Sequence, residues 1–166
     1  FVWAVAEGAQ EFGVPVLMHF QHKSYNLNFH RFHRTLEKFP KVNFIGHAQT
    51  WWGNIDAKHV QKNLYPKGPV TAGGLTDKYL SNYENMFGDL SAGSGLNALI
   101  RDEEHTKGFF ERHQNQLLYG SDCADTIGRG PGCQGSRTIL AVRRNSKTKT
   151  IERKILFANA KKLFRL

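Results

Sequence analysis

The chain has 166 residues, of which 40% are hydrophobic and 22% are charged, a composition that excludes a disordered segment and is ordinary for one folded domain. No apolar stretch approaches the roughly 18 to 20 residues that a membrane span needs, so we expect no membrane interaction. The net charge of +9 raises the question of nucleic-acid binding, and the position of that charge decides it.

The basic residues are concentrated at one end of the chain. Between positions 141 and 166 there are nine basic side chains and one acid, Glu152, whereas the first 140 residues are nearly balanced. Apolar positions at helical spacing run through the same segment, which indicates a docked helix with a solvated basic face. No recognition motif accompanies the charge, so we expect no nucleic-acid partner.

The apolar pattern predicts helices that alternate with short strands. The predicted strands are 14–19, 42–47, 85–90 and 116–120, and the predicted helices are 1–12, 28–39, 75–82, 96–114, 136–145 and 149–164. This alternation indicates βαβ units and a parallel sheet. We expect one domain over 1–166, and we interpret a sequence that opens inside a helix, without a signal peptide, as a piece of a longer protein.

Three predicted strands lead to residues of metal-binding type. His19 ends Val-Pro-Val-Leu-Met-His, His47 ends Val-Asn-Phe-Ile-Gly-His, and Asp122 ends Gln-Leu-Leu-Tyr-Gly-Ser-Asp. In a barrel of parallel strands the carboxyl ends open onto one face, where active sites are built. Imidazole and carboxylate are ligands of zinc and similar divalent ions. The sequence therefore predicts part of a metal-dependent enzyme, with zinc as the expected ion and a small molecule as substrate.

The ordered motifs resemble those of a known family. Pro-Val-Leu-Met-His-Phe, Phe-Ile-Gly-His-Ala, Phe-Gly-Asp-Leu-Ser, Leu-Leu-Tyr-Gly-Ser-Asp-Cys and Ile-Leu-Phe-Ala-Asn-Ala-Lys-Lys-Leu-Phe are similar to motifs of the amidohydrolase-related (amidohydrolase family 2) metal-dependent hydrolases. The resemblance covers nearly the whole chain. It implies an α/β fold, a partial (β/α)8 TIM barrel in which 1–166 is a C-terminal fragment carrying strands five to eight with their helices.

The resemblance also implies roles for three residues. His19 would be a metal ligand, and His47 would either orient and polarise water and substrate or bind a second ion. Asp122 would bind the metal and move the proton of the attacking water. The family's first-strand His-x-His pair has no counterpart in this sequence, and the nearest substitutes, His30 and His33, fall on a predicted helix.

The implied activity is hydrolysis of an amide, ester or lactone carbonyl of a small molecule. A divalent ion supplies Lewis acidity, a carboxylate can carry a proton, and an imidazole can stabilise developing negative charge. Nonoxidative decarboxylation of a small carboxylic acid uses the same groups and stays open as an alternative. A catalytically incomplete fragment or a basic binding module is a further alternative, which the missing His-x-His pair favours for the isolated chain.

Four other side chains each have two interpretations. Asp89, in Asp-Leu-Ser, either belongs to the site or caps the following helix. Asp125 is a loop residue or supports a metal ligand by a hydrogen bond. Trp51 and Trp52, which closely follow His47, either line a substrate pocket or cover apolar surface under a long loop.

Cys123 and Cys133 flank a Gly-rich loop, and two states are open for them. A disulfide across the ten-residue spacing would pin the rim of the site and would indicate an exported enzyme. Two free thiols in a reducing cytoplasm are the alternative, and we favour it slightly. Because a half barrel leaves two sheet edges and one core face uncovered, we also expect the isolated chain to form a homo-oligomer or to fold poorly.

Overall fold

A computed structural model describes residues 2–130 and 132–166 as a mixed α/β fold built on a four-stranded parallel sheet. The strands are β1 (Val16–His19), β2 (Phe44–His47), β3 (Met86–Asp89) and β4 (Leu117–Leu118). They lie in the order β1-β2-β3-β4, so each strand pairs with its neighbour in sequence. The parallel sheet and all four predicted strands are confirmed, although every strand is shorter than predicted.

Helices separate and flank the strands. They are α1 (Val2–Phe12), α2 (His33–Lys38), α3 (Ala48–Gly53), α4 (Leu75–Asn82), α5 (Ala92–Ile100), α6 (Glu103–His113), α7 (Gly135–Asn145), α8 (Lys149–Arg153) and α9 (Asn159–Phe164). A short 3-10 helix, Phe29–Arg31, precedes α2, and a π-helical segment, Lys154–Ala158, joins α8 to α9. No helix in the described ranges is both long and apolar enough to cross a bilayer.

Two elements differ from the sequence-based expectation. The helix expected over 96–114 is divided at Asp102, which is extended and whose carboxylate accepts a hydrogen bond from the His105 amide at 3.1 Å. This capping bond satisfies an amide at the start of α6 and so favours a new helix there. The segment after His47 begins with α3, whereas no helix was predicted in that region.

The core lies between one face of the sheet and the helices that cover it. Phe20 and Phe29 pack against the fully buried ring of Trp51, and Phe44 and Met86 contribute from the strands. Successive strand residues point to opposite faces, so Leu17 falls on the other face of β1 and is 57% exposed. That second face bears the cleft described below.

The basic C-terminal segment is helical and docked, as expected. Ala141 and Val142 of α7 are buried. Arg144 and Lys147 form ion pairs with Glu103 and Glu111 of α6, at 2.5 and 2.7 Å. Part of the basic charge is therefore paired within the chain.

Candidate functional site

The carboxyl ends of β1, β2 and β3 lie side by side. His19 is the register partner of His47, and their ring centroids are 5.1 Å apart. Gly46 pairs with Gly88, which places His47 and Asp89 at neighbouring strand ends. The parallel sheet thus brings residues that are distant in sequence to one edge.

His47 is held by a carboxylate from the next strand. Its Nδ1 lies 2.8 Å from Oδ2 of Asp89, and both residues are buried. The hydroxyl oxygen of Ser91 lies 3.2 Å from the same nitrogen. Since an ionised carboxylate only accepts, the proton belongs on Nδ1, which leaves the lone pair of His47 on Nε2.

Asp89 is itself tightly surrounded. Its Oδ1 accepts a hydrogen bond from the Ser91 amide at 3.1 Å, and its Oδ2 accepts one from the Ser91 hydroxyl. Its backbone carbonyl accepts a hydrogen bond from the Trp52 indole at 2.7 Å. A Cβ on Gly120 would lie 2.8 Å from Asp89 Oδ1, so the close approach of the β4 end requires glycine there. The carboxylate is therefore fixed in position by hydrogen bonds both to His47 and to Ser91, in the turn that precedes α5.

His19 lies beside this pair and is half-buried. Its Nε2 is 3.0 Å from the side-chain oxygen of Gln21, and its carbonyl accepts a hydrogen bond from Asn26 at 2.8 Å. The ring of Tyr25 packs edge-on against it at 5.3 Å. The contact with Gln21 occupies Nε2 of His19. Nδ1 is therefore the ring nitrogen with which His19 could bind a metal ion.

Asp122 follows β4 and shares a cleft with His47. The cleft has a volume of about 320 Å³, and Asp89 and Ser91 also line it. Leu17, Ile45, Leu118 and Phe164 supply its apolar wall. Tyr119 also lines the cleft, and burial raises the pKa of its phenol. The cleft thus combines ionisable groups with apolar surface, as ligand sites do.

Unusual backbone geometry marks the same edge. Among the described residues, seven non-glycine residues have positive φ, and six of them follow β1, β2, β3 or β4: Lys23, Asn26, Asn28, Ala48, Ala92 and Asp122. Each such residue costs on the order of 1 kcal/mol and persists only where surrounding contacts impose it. Strain of this kind clusters at functional sites, and here Ala48 directly follows His47 and Asp122 is itself one of the three candidate residues.

The donor chemistry of these residues suits a divalent ion, although their side chains are not in ligating positions. Two imidazoles and a carboxylate form a donor set that zinc accepts. Within residues 2–130 and 132–166, the one group of three potential ligands whose atoms all lie within 4.8 Å is Cys123, Asp125 and Cys133. The sulfurs of that group are joined in a disulfide, so it offers no thiolate. Binding an ion between His19, His47 and Asp122 would therefore require side-chain rotation into the cleft.

The disulfide joins Cys123 to Cys133 with a Cα–Cα separation of 4.8 Å. It decides between the two states left open by the sequence, and the slight preference for free thiols is wrong. The ten-residue spacing allowed the bridge, but spacing alone could not show that the two side chains meet. Because Cys123 follows Asp122 directly, the bridge restrains the rim of the cleft next to the candidate ligand.

The structure also decides the interpretations of three further residues. Trp51 and Trp52 are buried in the core, so neither lines a substrate pocket. Asp125 is a loop residue whose Oδ2 accepts a hydrogen bond from the Arg129 amide at 2.7 Å. Backbone hydrogen bonds, chiefly from Arg129, lower the pKa of Asp125.

The contact between Asp89 and His47 was missed by sequence reasoning, which left Asp89 between a capping and a site role. The Asp-Leu-Ser motif at a strand end indicated that Asp89 could belong to the site. It did not identify His47 as the partner of Asp89, because His47 lies 42 residues earlier in the chain.

Comparison with known proteins adds no family assignment. No protein-family model matches the chain, and no curated protein matches it either. The functional assignment of these residues therefore depends on their geometry and chemistry and on the motif resemblance.

Proposed function

We propose that the chain is the C-terminal half of a (β/α)8 barrel and carries part of the site of a metal-dependent hydrolase related to the amidohydrolases. The substrate would be a small molecule with an amide, ester or lactone carbonyl. The observation that supports this proposal best is the buried hydrogen bond from His47 to Asp89, at the sheet edge where His19 and Asp122 also lie. A carboxylate-bound histidine is the usual arrangement for a metal ligand or a general base.

The parallel order β1-β2-β3-β4 supports the barrel part of the proposal. Consecutive βαβ units give this order in one half of a (β/α)8 barrel, with the site at the carboxyl ends of the strands. The two outer strands, β1 and β4, would then pair with strands of the other half. That half would also supply the His-x-His ligand pair which the 166 residues lack.

Within this scheme, His19, His47 and Asp122 would hold a zinc ion, which would supply Lewis acidity to water and to the substrate carbonyl. Asp89 keeps the His47 ring in one orientation and one tautomer, so that Nε2 is the nitrogen that would bind the ion, while the side chains of His19 and Asp122 would rotate toward it. Asp122 is exposed at the rim of the cleft, where its carboxylate can take a proton from water and return it to a leaving group. Leu17, Ile45 and Leu118 would exclude water from the apolar part of a substrate.

The disulfide supports a proposal about the compartment. Disulfides persist in oxidising surroundings and are rare in the cytosol. We therefore propose that the protein is exported, contrary to the slight preference for the cytoplasm. Quantifying free thiols in protein isolated from its source under alkylating conditions tests this, and two alkylated cysteines would contradict it.

The first experiment is zinc binding to the purified chain, measured by calorimetry and by metal analysis after dialysis. The test variant is His19→Ala/Asp122→Asn. The control is His33→Ala/Glu104→Gln, which also removes one imidazole and one carboxylate charge but at residues that do not line the cleft. We expect the control to bind zinc as the parent does and the test variant to lose binding.

Equal zinc binding by both double variants would overturn the assignment of His19 and Asp122. Absence of binding by the parent chain would contradict a self-sufficient site and would favour an incomplete fragment. For a chain that binds zinc, the products formed from a panel of small esters, lactones and carboxylic acids separate the two reactions. A carboxylic acid product supports hydrolysis, and carbon dioxide supports decarboxylation.

A further inference from the structure

The loop that follows Asp122 holds a second group of side chains of metal-binding type. Cys123, Asp125 and Cys133 are all half-buried, and their donor atoms, two sulfurs and a carboxylate oxygen, lie within 4.8 Å of one another. None of the three lines the cleft of His47 and Asp122. We call this group the loop site. It is separate from the candidate site, although Cys123 is the next residue after Asp122.

The state of the two sulfurs decides whether the loop site can bind an ion. In the bridged form the sulfurs are bonded to each other, whereas the thiolate is the form of cysteine that binds metals. A dithiol reductant breaks the Cys123–Cys133 bond by thiol–disulfide exchange. The two S–H bonds of the reductant become one S–S bond, and two electrons and two protons pass to the cysteines. The product is a pair of thiols beside the Asp125 carboxylate.

The loop fixes the Asp125 carboxylate next to the two sulfurs. Its Oδ2 accepts a hydrogen bond from the Arg129 amide at 2.7 Å. A Cβ on Gly130 would lie 2.8 Å from Oδ1, so the close approach of the chain requires glycine there. Backbone hydrogen bonds lower the pKa of Asp125 and so favour its ionised form. An ionised carboxylate has about four lone-pair sites, so it can keep these hydrogen bonds and also bind an ion.

The spacing of the two cysteines suits an ion as well as a bridge. Zinc binds Cys sulfur at about 2.3 Å, so two sulfurs on one tetrahedral ion are roughly 3.8 Å apart. The Cα atoms of Cys123 and Cys133 are 4.8 Å apart, and rotation about each Cα–Cβ bond is enough to separate the sulfurs by that distance. Two thiolates and one carboxylate together form a donor set that zinc accepts.

We propose that the reduced loop site binds zinc through Cys123, Asp125 and Cys133, with water as the fourth ligand. Zinc displaces the two thiol protons to solvent as it binds. The rim beside Asp122 is thus held by a disulfide in oxidising surroundings and by an ion in reducing ones. The exported protein proposed above would pass through the dithiol state before its bridge forms. The inference does not depend on the proposed function.

Cobalt(II) is the probe, because it accepts the ligands that zinc accepts and because thiolates bound to it give a charge-transfer absorption band. The chain is reduced with a dithiol, desalted under nitrogen and titrated with cobalt(II) chloride. We expect the band in the reduced parent but not in the oxidised parent, and we expect zinc, which thiolate sites prefer, to abolish it. Cobalt in the cleft of His47 and Asp122 would give no such band, since no cysteine lines that cleft.

Asp125→Asn tests the carboxylate and leaves both cysteines in place. Residues that only support a metal ligand contribute about 10- to 100-fold to metal affinity, so loss of a ligand charge should weaken cobalt binding at least about tenfold. Glu104→Gln, which removes an exposed carboxylate charge from α6, should bind cobalt as the parent does. Cys123→Ser/Cys133→Ser should show no band with or without reductant.

The His19→Ala/Asp122→Asn background separates this inference from the proposed function. In this background, zinc should raise the melting temperature of the reduced chain and leave that of the oxidised chain unchanged. The cobalt band should keep its full strength, because neither replaced residue belongs to the loop site. A chain that fails to bind zinc in the cleft would therefore still give a result for the loop site.

Three results would overturn the proposal. One is the absence of the band from the reduced parent. Another is equal cobalt affinity of the parent and Asp125→Asn, which would show that the two thiols bind the ion without the carboxylate. The third is loss of the band in the His19→Ala/Asp122→Asn variant, which would assign the thiolates to an ion of the cleft.

Discussion

His47 Nδ1 lies 2.8 Å from Asp89 Oδ2, so a hydrogen bond joins the last residue of β2 to the last residue of β3. Both side chains are buried, and the Ser91 amide and hydroxyl donate to the same carboxylate. The imidazole is therefore held through Nδ1, and in the proposed site Nε2 is the nitrogen that would contact a metal ion or water.

Replacing Asp89 by asparagine tests that relationship. Asp89→Asn keeps the shape but removes the charge that supports His47, and partners of this kind contribute about 10- to 100-fold to metal affinity. We expect the zinc affinity of the chain to fall by roughly that factor. Isothermal titration at neutral pH measures it.

The control is Glu104→Gln, an exposed residue of α6 whose side chain pairs with Lys107. It should leave zinc affinity unchanged. An affinity of Asp89→Asn equal to that of the parent would show that Asp89 serves only the turn before α5.

A second carboxylate–histidine pair, half-buried Asp77 with buried His113, makes stability depend on pH. Burial of the Asp77 carboxyl favours its neutral form, but hydrogen bonds from His113 and Arg112 outweigh burial and lower its pKa to about 2. Because the folded pKa is depressed, the Asp77 carboxylate stabilises the fold above its ordinary pKa of 3.8, and this contribution is lost as the pH falls toward about 2. At about 1.4 kcal/mol for each pKa unit, it amounts to about 2 kcal/mol.

Asp77→Asn removes this dependence. Urea unfolding of the parent and the variant between pH 6 and pH 2 should show a difference in unfolding free energy that is constant above about pH 5 and shrinks by about 2 kcal/mol below it. Glu104→Gln, with an exposed carboxylate, should follow the parent throughout. A difference for Asp77→Asn that stays the same down to pH 2 would contradict the assignment.

The strand ends were predictable because a change in polarity marks them. Apolar runs stop at His19 and His47, and a chain in which strands alternate with helices places both at one edge of a parallel sheet. The partner of His47 was not predictable in this way. The contact with Asp89 depends on the register of β2 against β3, which is fixed by side chains that meet only in the folded state.

The start of α3 is a second feature that could not be predicted from the sequence. Ala48 has a φ of 78°, a left-handed conformation that sequence alone does not favour for alanine. It allows the chain to turn directly from β2 into a helix that buries Trp51. Local sequence therefore suggested no helix there, and tertiary packing of the indole overrides the local preference.

The Cys123–Cys133 bridge should stabilise the fold. In the chain-entropy model, a loop of this length contributes about 3 kcal/mol by restricting the unfolded chain. Reduction of the parent should lower its melting temperature, whereas Cys123→Ser/Cys133→Ser should already melt lower and should not respond to reductant. Differential scanning calorimetry measures both, and identical melting of the oxidised and reduced parent would argue against the bridge.

Gly46 is required by the ring that lies beneath β2. A Cβ at this position would lie 2.3 Å from the Trp51 ring, which is fully buried and in contact with Phe20. The ring cannot move away without displacing the core, so Gly46→Ala should destabilise the chain by about 3 kcal/mol. The displacement would also shift the neighbouring His47, and zinc affinity should fall with stability.

Gly8→Ala is the matched control for Gly46→Ala, because the added methyl group at position 8 has space. Gly8 lies inside α1, and a Cβ there would meet no atom within 4 Å. Alanine is the better helix former, so we expect a gain of about 0.5 to 1 kcal/mol and unchanged zinc affinity. Urea unfolding compares the two variants directly. If Gly46→Ala proved as stable as Gly8→Ala, the close approach of Trp51 to β2 would be wrong, and with it the local geometry that positions His47.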